Sequence, residues 1–181
     1  MSDAAPPDTG LTQKQREDLL RNGWWYHDYL WFKRALGELG PEAVNRPNTE
    51  ILFQASKAEM LRLMRAMKVR QVSDEQTVLR LVRAGGDVYV GDLVPMTVES
   101  GEGWLRLSTQ KCFVQVGTRR DGLQDHYVCG PMTRLSGWLE AMGLKWEFDP
   151  PIGLCLPNQG RDCRFTVKIQ LPPAAPEPAG A

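Results

Sequence analysis

The chain has no excess of either charge, only two histidines and no long apolar run, and each shortage closes a class of function. Its 22 basic and 22 acidic side chains balance, so no overall field draws it to nucleic acid or to an anionic membrane. No apolar stretch approaches the ~20 residues that span a bilayer. The start Met1-Ser2-Asp3-Ala4-Ala5-Pro6-Pro7 lacks the basic and apolar regions of a secretion signal, and a cytoplasmic protein with reduced thiols is expected. HxxxH and HExxH patterns are absent, as are a Gly-rich phosphate loop and a nucleophile elbow. Cysteine is scarce as well, with four in the chain and none in a CxxC pair. In a reducing compartment these four read as ligands, a nucleophile or core residues rather than disulfides.

What is present is one domain's worth of sequence. At 181 residues the chain can build a hydrophobic core without staples. Residues 1–10 and the tail 172–181 are rich in Pro and Ala and are expected to be disordered, leaving 11–171 as a single domain. The first helix is expected from Leu11 or Thr12 to Leu39, stopped by Gly40-Pro41. Its apolar stripe reads Leu20, Trp24, His27, Trp31 and Ala35, which puts His27 on the buried face with Asp28 beside it. The segment Trp24 to Phe32 is aromatic on most sides, as in a helix covered all round. His27 is then either a core histidine with a hydrogen-bond partner or the polar anchor of an aromatic-lined pocket. Adjacent on one helix, His27 and Asp28 point about 100° apart and are not expected to pair as a catalytic dyad does.

Pro41 to Asn48 reads as a turn-rich break. The helical pattern resumes at Thr49-Glu50 with Ile51, Leu52 and Ala55, and it carries capping-box spacing at Ser56 to Glu59 and a stripe of Met60, Leu61, Met64 and Met67. A third helix opens at Ser73-Asp74-Glu75-Gln76 and closes at Gly85-Gly86. From Asp87 the pattern turns extended, through Val90 and then Leu93 to Val98. Gly101-Glu102-Gly103 is a hairpin turn into Trp104 to Leu107, and Lys111 to Val116 alternates as a further short strand. Thr118 to Gly122 is a basic loop of ordinary solvated character. A helix follows Cys129, with Pro131 in its first turn, a stripe of Met132, Leu135, Leu139 and Met142, and Gly143 at its end. Strands are expected at Lys145–Phe148 and Cys163–Ile169. The architecture is α+β: N-terminal helices packed on an antiparallel sheet, with one helix inserted before a C-terminal metal-binding β-hairpin.

The chemistry concentrates in the last third. Cys129 stands at a helix start, where amide groups and the dipole favour thiolate. Cys155 and Cys163 are separated by a loop long enough to bring both sulfurs to one ion, and tetrahedral zinc takes such ligands. The same residues also suit a role as small buried hydrophobes.

Residues 87–170 resemble the four-vinyl-reductase domain, also found as the sensor domain of phenol-responsive transcription activators. The resemblance rests on Cys129, Cys155 and Cys163 at that family's spacing and on Gly160-Arg161-Asp162-Cys163-Arg164-Phe165. It implies zinc held by three cysteines and a glutamate beside a small-molecule pocket. The glutamate position is Ile152 here, which cannot ligate, so Cys112, Glu147, Asp149 or an exogenous ligand would complete the set. With Cys112 as fourth ligand an iron–sulfur cluster also suits the residues. A looser similarity, to small bacterial proteins likened to thiazoline-carboxylate hydrolases, implies ring opening of a cyclic amidine-like substrate by a cysteine or a metal-bound water.

Three functions are therefore expected in competition. One is a metal-containing module binding a small apolar or aromatic molecule, with Trp24, Trp31 and Trp104 as walls and His27 and Asp28 as polar groups. Another is an enzyme, either a metal- or cysteine-dependent hydrolase or an iron–sulfur redox or accessory protein, in which His27 or Asp28 meets Cys112, His126 or the metal. The third is an interaction protein whose first helix binds a partner subunit or a second copy. An apolar patch exposed on that helix favours the third, and an enclosed cavity lined by the same tryptophans favours the others.

Overall fold

A computed structural model describes residues 10–172. The expected disorder of residues 1–10 and 172–181 falls almost wholly outside them. The fold is α+β, with five helices and a four-stranded antiparallel sheet. Helix α1 spans Gln13–Leu39, α2 Pro41–Ala66, α3 Glu75–Gly85, α4 Phe113–Arg120 and α5 Gly130–Ala141. The strands are β1 Thr97–Gly101, β2 Trp104–Ser108, β3 Lys145–Asp149 and β4 Arg164–Gln170, in the order β1-β2-β4-β3. The final hairpin pairs β3 with β4, Phe148 facing Val167, and its long connection carries Cys155 and Cys163. No helix among the described residues is long and apolar enough to cross a membrane.

The sheet has one wet face and one dry face, as alternating strands require. Leu105, Leu107, Phe165, Val167 and Ile169 are buried on one side. Opposite them, Arg106 pairs with Glu99 and Lys168 with Glu147. Helix α5 is buried along most of its length, and Trp138, Leu139, Leu135 and Met132 sit at its centre. It lies tightly on α2 because glycine occurs where the helices meet: a Cβ on Gly137 would stand 2.5 Å from the Phe53 carbonyl oxygen.

Helix α1 begins as expected, Thr12 forming a capping box with Gln15. Its buried stripe is the neighbouring one: Trp25, Tyr29, Phe32 and Leu36 face the core. Leu20, Trp24, His27 and Trp31 face solvent instead. Both stripes have the same helical spacing, and long-range partners choose between them. Trp25 donates from its indole to the Tyr89 carbonyl at 2.9 Å, and Tyr29 donates to Asp121 at 2.5 Å.

Four local expectations are corrected. Residues 41–48 are helical, and α2 runs through Pro47; the Thr49 hydroxyl donates to the carbonyls of Asn45 and Arg46 within that turn. Ser56 is not a helix start but lies buried inside α2, donating back to the Leu52 carbonyl. The third helix is capped by Asp74, which accepts from the Thr77 N–H. It continues into a π-helical turn at Gly86–Val90 and a 3₁₀ turn at Gly91–Leu93, where extended chain was expected for 87–90. Residues 113–116 belong to α4 rather than a strand: Val114, Gly117 and Thr118 are buried at helical spacing, while Val116 is exposed. A segment this short satisfies both periods, so burial decides.

Candidate metal centre and adjacent pocket

The four cysteines come from four separate places in the fold, and all four line one apolar cavity of about 20 Å³ with Val94, Leu107, Met132 and Phe165. Cys112 caps α4, Cys129 caps α5, Cys155 precedes the 3₁₀ turn Leu156–Gln159, and Cys163 precedes β4. Backbone pairing between two loops brings the middle two together. Val128 and Leu154 form an isolated antiparallel bridge, with Cys129 N–H donating to the Gly153 carbonyl at 2.8 Å.

Backbone N–H groups near the sulfurs act to lower the thiol pKa values, Val114 and Gln115 on Cys112, Met132 on Cys129, Asn158 on Cys155 and Thr109 on Cys163, but Cys112, Cys129 and Cys155 make no side-chain capping bond to their helices. Burial is the largest influence on each thiol and raises its pKa, for Cys163 to about 11. The neighbouring thiols act in the same direction on Cys129, which feels Cys155, Cys112 and Cys163 together. Left to themselves, the buried thiols of Cys129 and Cys155 and the partly buried ones of Cys112 and Cys163 stay protonated, and a bound cation reverses that preference. As the side chains stand, no three His, Cys, Asp or Glu groups among the described residues are placed to hold an ion. Sharing a cavity requires only proximity, whereas ligation requires every sulfur within about 2.3 Å of one point. The four thiols therefore share one cavity without forming a ligand set as the side chains stand.

Several groups fix this arrangement that the sequence reading passed over. Asn45 of α2 donates to the His126 carbonyl at 2.6 Å and accepts from the Val128 N–H at 3.4 Å. Arg119, assigned above to a solvated loop, lies in α4 and donates to the Pro157 carbonyl at 2.6 Å and to Asn158 Oδ1 at 3.2 Å. It thereby ties α4 to the turn that follows Cys155. Distant loop contacts of this kind leave no periodic signal. Two other candidates lie elsewhere: Glu147 and Asp149 are exposed on β3, and Ile152 packs against the core. His126 is exposed, and only its carbonyl serves the site.

On the other side of Tyr127 is a second cavity, of about 60 Å³, bounded by α1, α2 and α5. Tyr127 lines both spaces. Its buried oxygen accepts from the Gly130 N–H at 2.9 Å, and its ring meets Phe32 edge-on at 5.3 Å. The cavity walls include Trp25, Phe32, Leu52 and Val114, and its polar groups include Asp28, Asn48 and Arg134. Arg134 is buried, ion-paired to Glu59, and lies 5.0 Å over the Trp25 ring, while its Nε has no partner. Asp28 is exposed, yet partial desolvation raises its carboxyl pKa, partly opposed by Arg134.

Of the expected wall residues, only Asp28 is on this pocket. Trp24 and Trp31 are on the outer face of α1, with Trp24 on an open trough beside α2. Trp104 is on the wet face of the sheet, stacked under Arg106 at 5.0 Å. His27 is largely exposed, and its Nδ1 lies 3.7 Å from Asp28, a loose surface contact rather than the hydrogen bond of a catalytic dyad. Such an exposed contact contributes little. The aromatic pocket is built instead from Trp25, Phe32 and Tyr127, one helical position away from the residues chosen by the stripe. No protein family, characterised protein or solved structure compared with the chain matches it.

Proposed function

We propose that this chain is a metal-stabilised small-molecule-binding module. Cys112, Cys129, Cys155 and Cys163 would hold one metal ion, and the pocket across Tyr127 would hold the ligand. The observation that carries this reading is the convergence of all four cysteines on one apolar cavity. Zinc is preferred to an iron–sulfur cluster on space: about 20 Å³ admits a particle the size of one water. The resemblance to four-vinyl-reductase domains joins the proposal in modified form, with Cys112 replacing the glutamate that Ile152 cannot supply.

Four thiolates close a zinc site and leave no position for an activated water, which favours a structural ion over a hydrolytic one. A cysteine nucleophile is disfavoured too, because burial raises every thiol pKa. The ligand pocket is mostly apolar with a few placed polar groups, the usual make-up of a binding site. Elemental analysis and the visible spectrum of protein purified without oxygen test the reading. One zinc per chain, lost on Cys112→Ser, supports it; iron with acid-labile sulfide moves the cluster ahead. A metal-free, fully folded chain overturns it.

A further inference from the structure

The outer face of α1 carries a heptad seam that no part of the described chain covers. Counting a and d positions along the helix gives Glu17, Leu20, Trp24, His27, Trp31 and Arg34, all exposed. Leu20 is 76%, Trp24 58% and Trp31 67% exposed. The two tryptophans alone leave on the order of 300 Å² of aromatic surface in water, and patches of this size on monomers usually mark contact sites. The opposite face, Trp25, Tyr29, Phe32 and Leu36, is fully engaged with the core, so the seam is surplus to the fold.

The order of residues along the seam indicates what covers it. The spacing is three, four, three, four and three, the same in both directions, so the pattern is symmetric about a point between Trp24 and His27. A second α1 laid antiparallel across a two-fold axis at that point places Trp24 against His27 of the other copy. Leu20 then meets Trp31, and Glu17 meets Arg34. Each end of the seam therefore closes with opposite charges, about 26 Å apart along the helix. Beside the seam runs an open trough of about 980 Å³ lined by Glu17, Leu20, Trp24, Ala55, Ala58 and Arg62. It borders Leu20, where Trp31 of the second copy arrives.

We infer that α1 is a self-association surface on which two copies pair antiparallel through Leu20, Trp24, His27 and Trp31, with Glu17 and Arg34 setting the register. Such an isologous contact closes on itself and gives a dimer rather than a filament. A typical stable interface removes about 800 Å² per partner; the seam supplies its apolar centre and the trough walls its rim.

Sedimentation equilibrium of the full chain over the micromolar range tests this, with far-UV circular dichroism confirming the fold of every variant. The wild type is expected to dimerise. Trp31→Glu is expected to weaken the dimer at least about tenfold. Glu17→Arg and Arg34→Glu, each alone, place like charges at both ends and weaken it; the double variant restores it. A wild type that stays monomeric throughout the range overturns self-association and leaves the face to a different protein. A dimer indifferent to Trp31→Glu overturns the surface, and a double variant no better than the single ones overturns the antiparallel register.

Discussion

Asn45 on α2 donates to the main-chain carbonyl of His126 across 2.6 Å, three residues before Cys129. With its side-chain oxygen accepting from Val128, it sets the path of the loop that delivers both Tyr127 and Cys129. Asn45→Ala is expected to lower stability by about 1–3 kcal/mol, since loop groups lose their partner. If the proposed metal is bound, the variant is also expected to weaken its retention 10- to 100-fold, as loss of a positioning group typically does. Chelator competition and thermal unfolding measure the two effects separately. Unchanged metal retention would remove Asn45 from the site.

If four cysteines share one ion, all four should matter alike. Serine at any of Cys112, Cys129, Cys155 or Cys163 is expected to lower metal content and the unfolding midpoint together, because the binding energy of a structural metal is folding energy. Cys112 is the informative position, because the three-cysteine pattern visible in the C-terminal third does not include it. A Cys112→Ser chain with full metal content and unchanged midpoint would return that residue to the core.

What the sequence made legible was mostly local. Helix caps at Thr12 and Cys129, the turn at Gly101–Gly103 and the β3–β4 hairpin follow from short-range rules, and the α+β architecture follows from their order. Cys112 was already a candidate fourth ligand, although its segment is a helix cap rather than a strand. The face of α1 was not legible. Leu20-Trp24-Trp31 and Trp25-Phe32-Leu36 obey the same period, and only contacts with Tyr89 and Asp121, more than sixty residues away in sequence, select the second. The first stripe stays exposed, apolar without a place in the core. Pro47 misled in a similar way, because a break was inferred where α2 absorbs the proline.

At Gly137, α5 packs tightly on α2, over the Phe53 carbonyl and the buried Ser56 hydroxyl. Gly137→Ala improves helix propensity by about 1 kcal/mol, yet its methyl would meet backbone at 2.5 Å. Backbone does not rotate aside as a side chain does, so the helices must separate. Overpacking of this kind costs about 1–3 kcal/mol and should prevail. Urea unfolding of the variant measures it, and a midpoint at or above wild type would mean the helices part without cost.

Glu59 serves Arg134 and Trp138 at once, accepting from the Trp138 indole at 3.1 Å while paired with the guanidinium. Removing it leaves a cation buried against Trp25 without its ion-pair partner. Glu59→Ala is expected to cost about 3–5 kcal/mol, and Glu59→Leu with Arg134→Met to recover most of that loss, because the apolar pair leaves no charge stranded. The double variant also removes the unpaired Arg134 Nε from the small pocket. It should fold but bind ligand poorly, separating the pocket's chemistry from its stability. A double variant as unstable as Glu59→Ala would place the loss in packing rather than charge.

Tyr29 and Asp121 join α1 to the end of α4, and their titration gives the fold a signature at both ends of the pH scale. Asp121 accepts from Arg120 at 3.0 Å, Tyr29 at 2.5 Å and Lys33 at 3.0 Å. These donors, Arg120 first, hold its carboxyl below the ordinary value of 3.8. A depressed carboxylate contributes stability that is present above pH 3.8 and is lost as pH falls toward the lower folded value. Tyr29 moves the other way, its pKa raised above 10.0 by burial first and then by the bond to Asp121. Folding favours the neutral phenol, so this contribution is complete below pH 10.0 and fades as pH rises above it. Asp121→Asn should therefore flatten the acid limb of a stability profile, and Tyr29→Phe should flatten the alkaline limb while leaving the acid limb sloped by Arg120 and Lys33. Urea midpoints measured from acid to alkaline pH read both limbs. If Asp121→Asn leaves the acid slope as it was, the carboxylate does not hold α1 to α4, and the register of the buried aromatic stripe must be fixed by Trp25 and Phe32 alone.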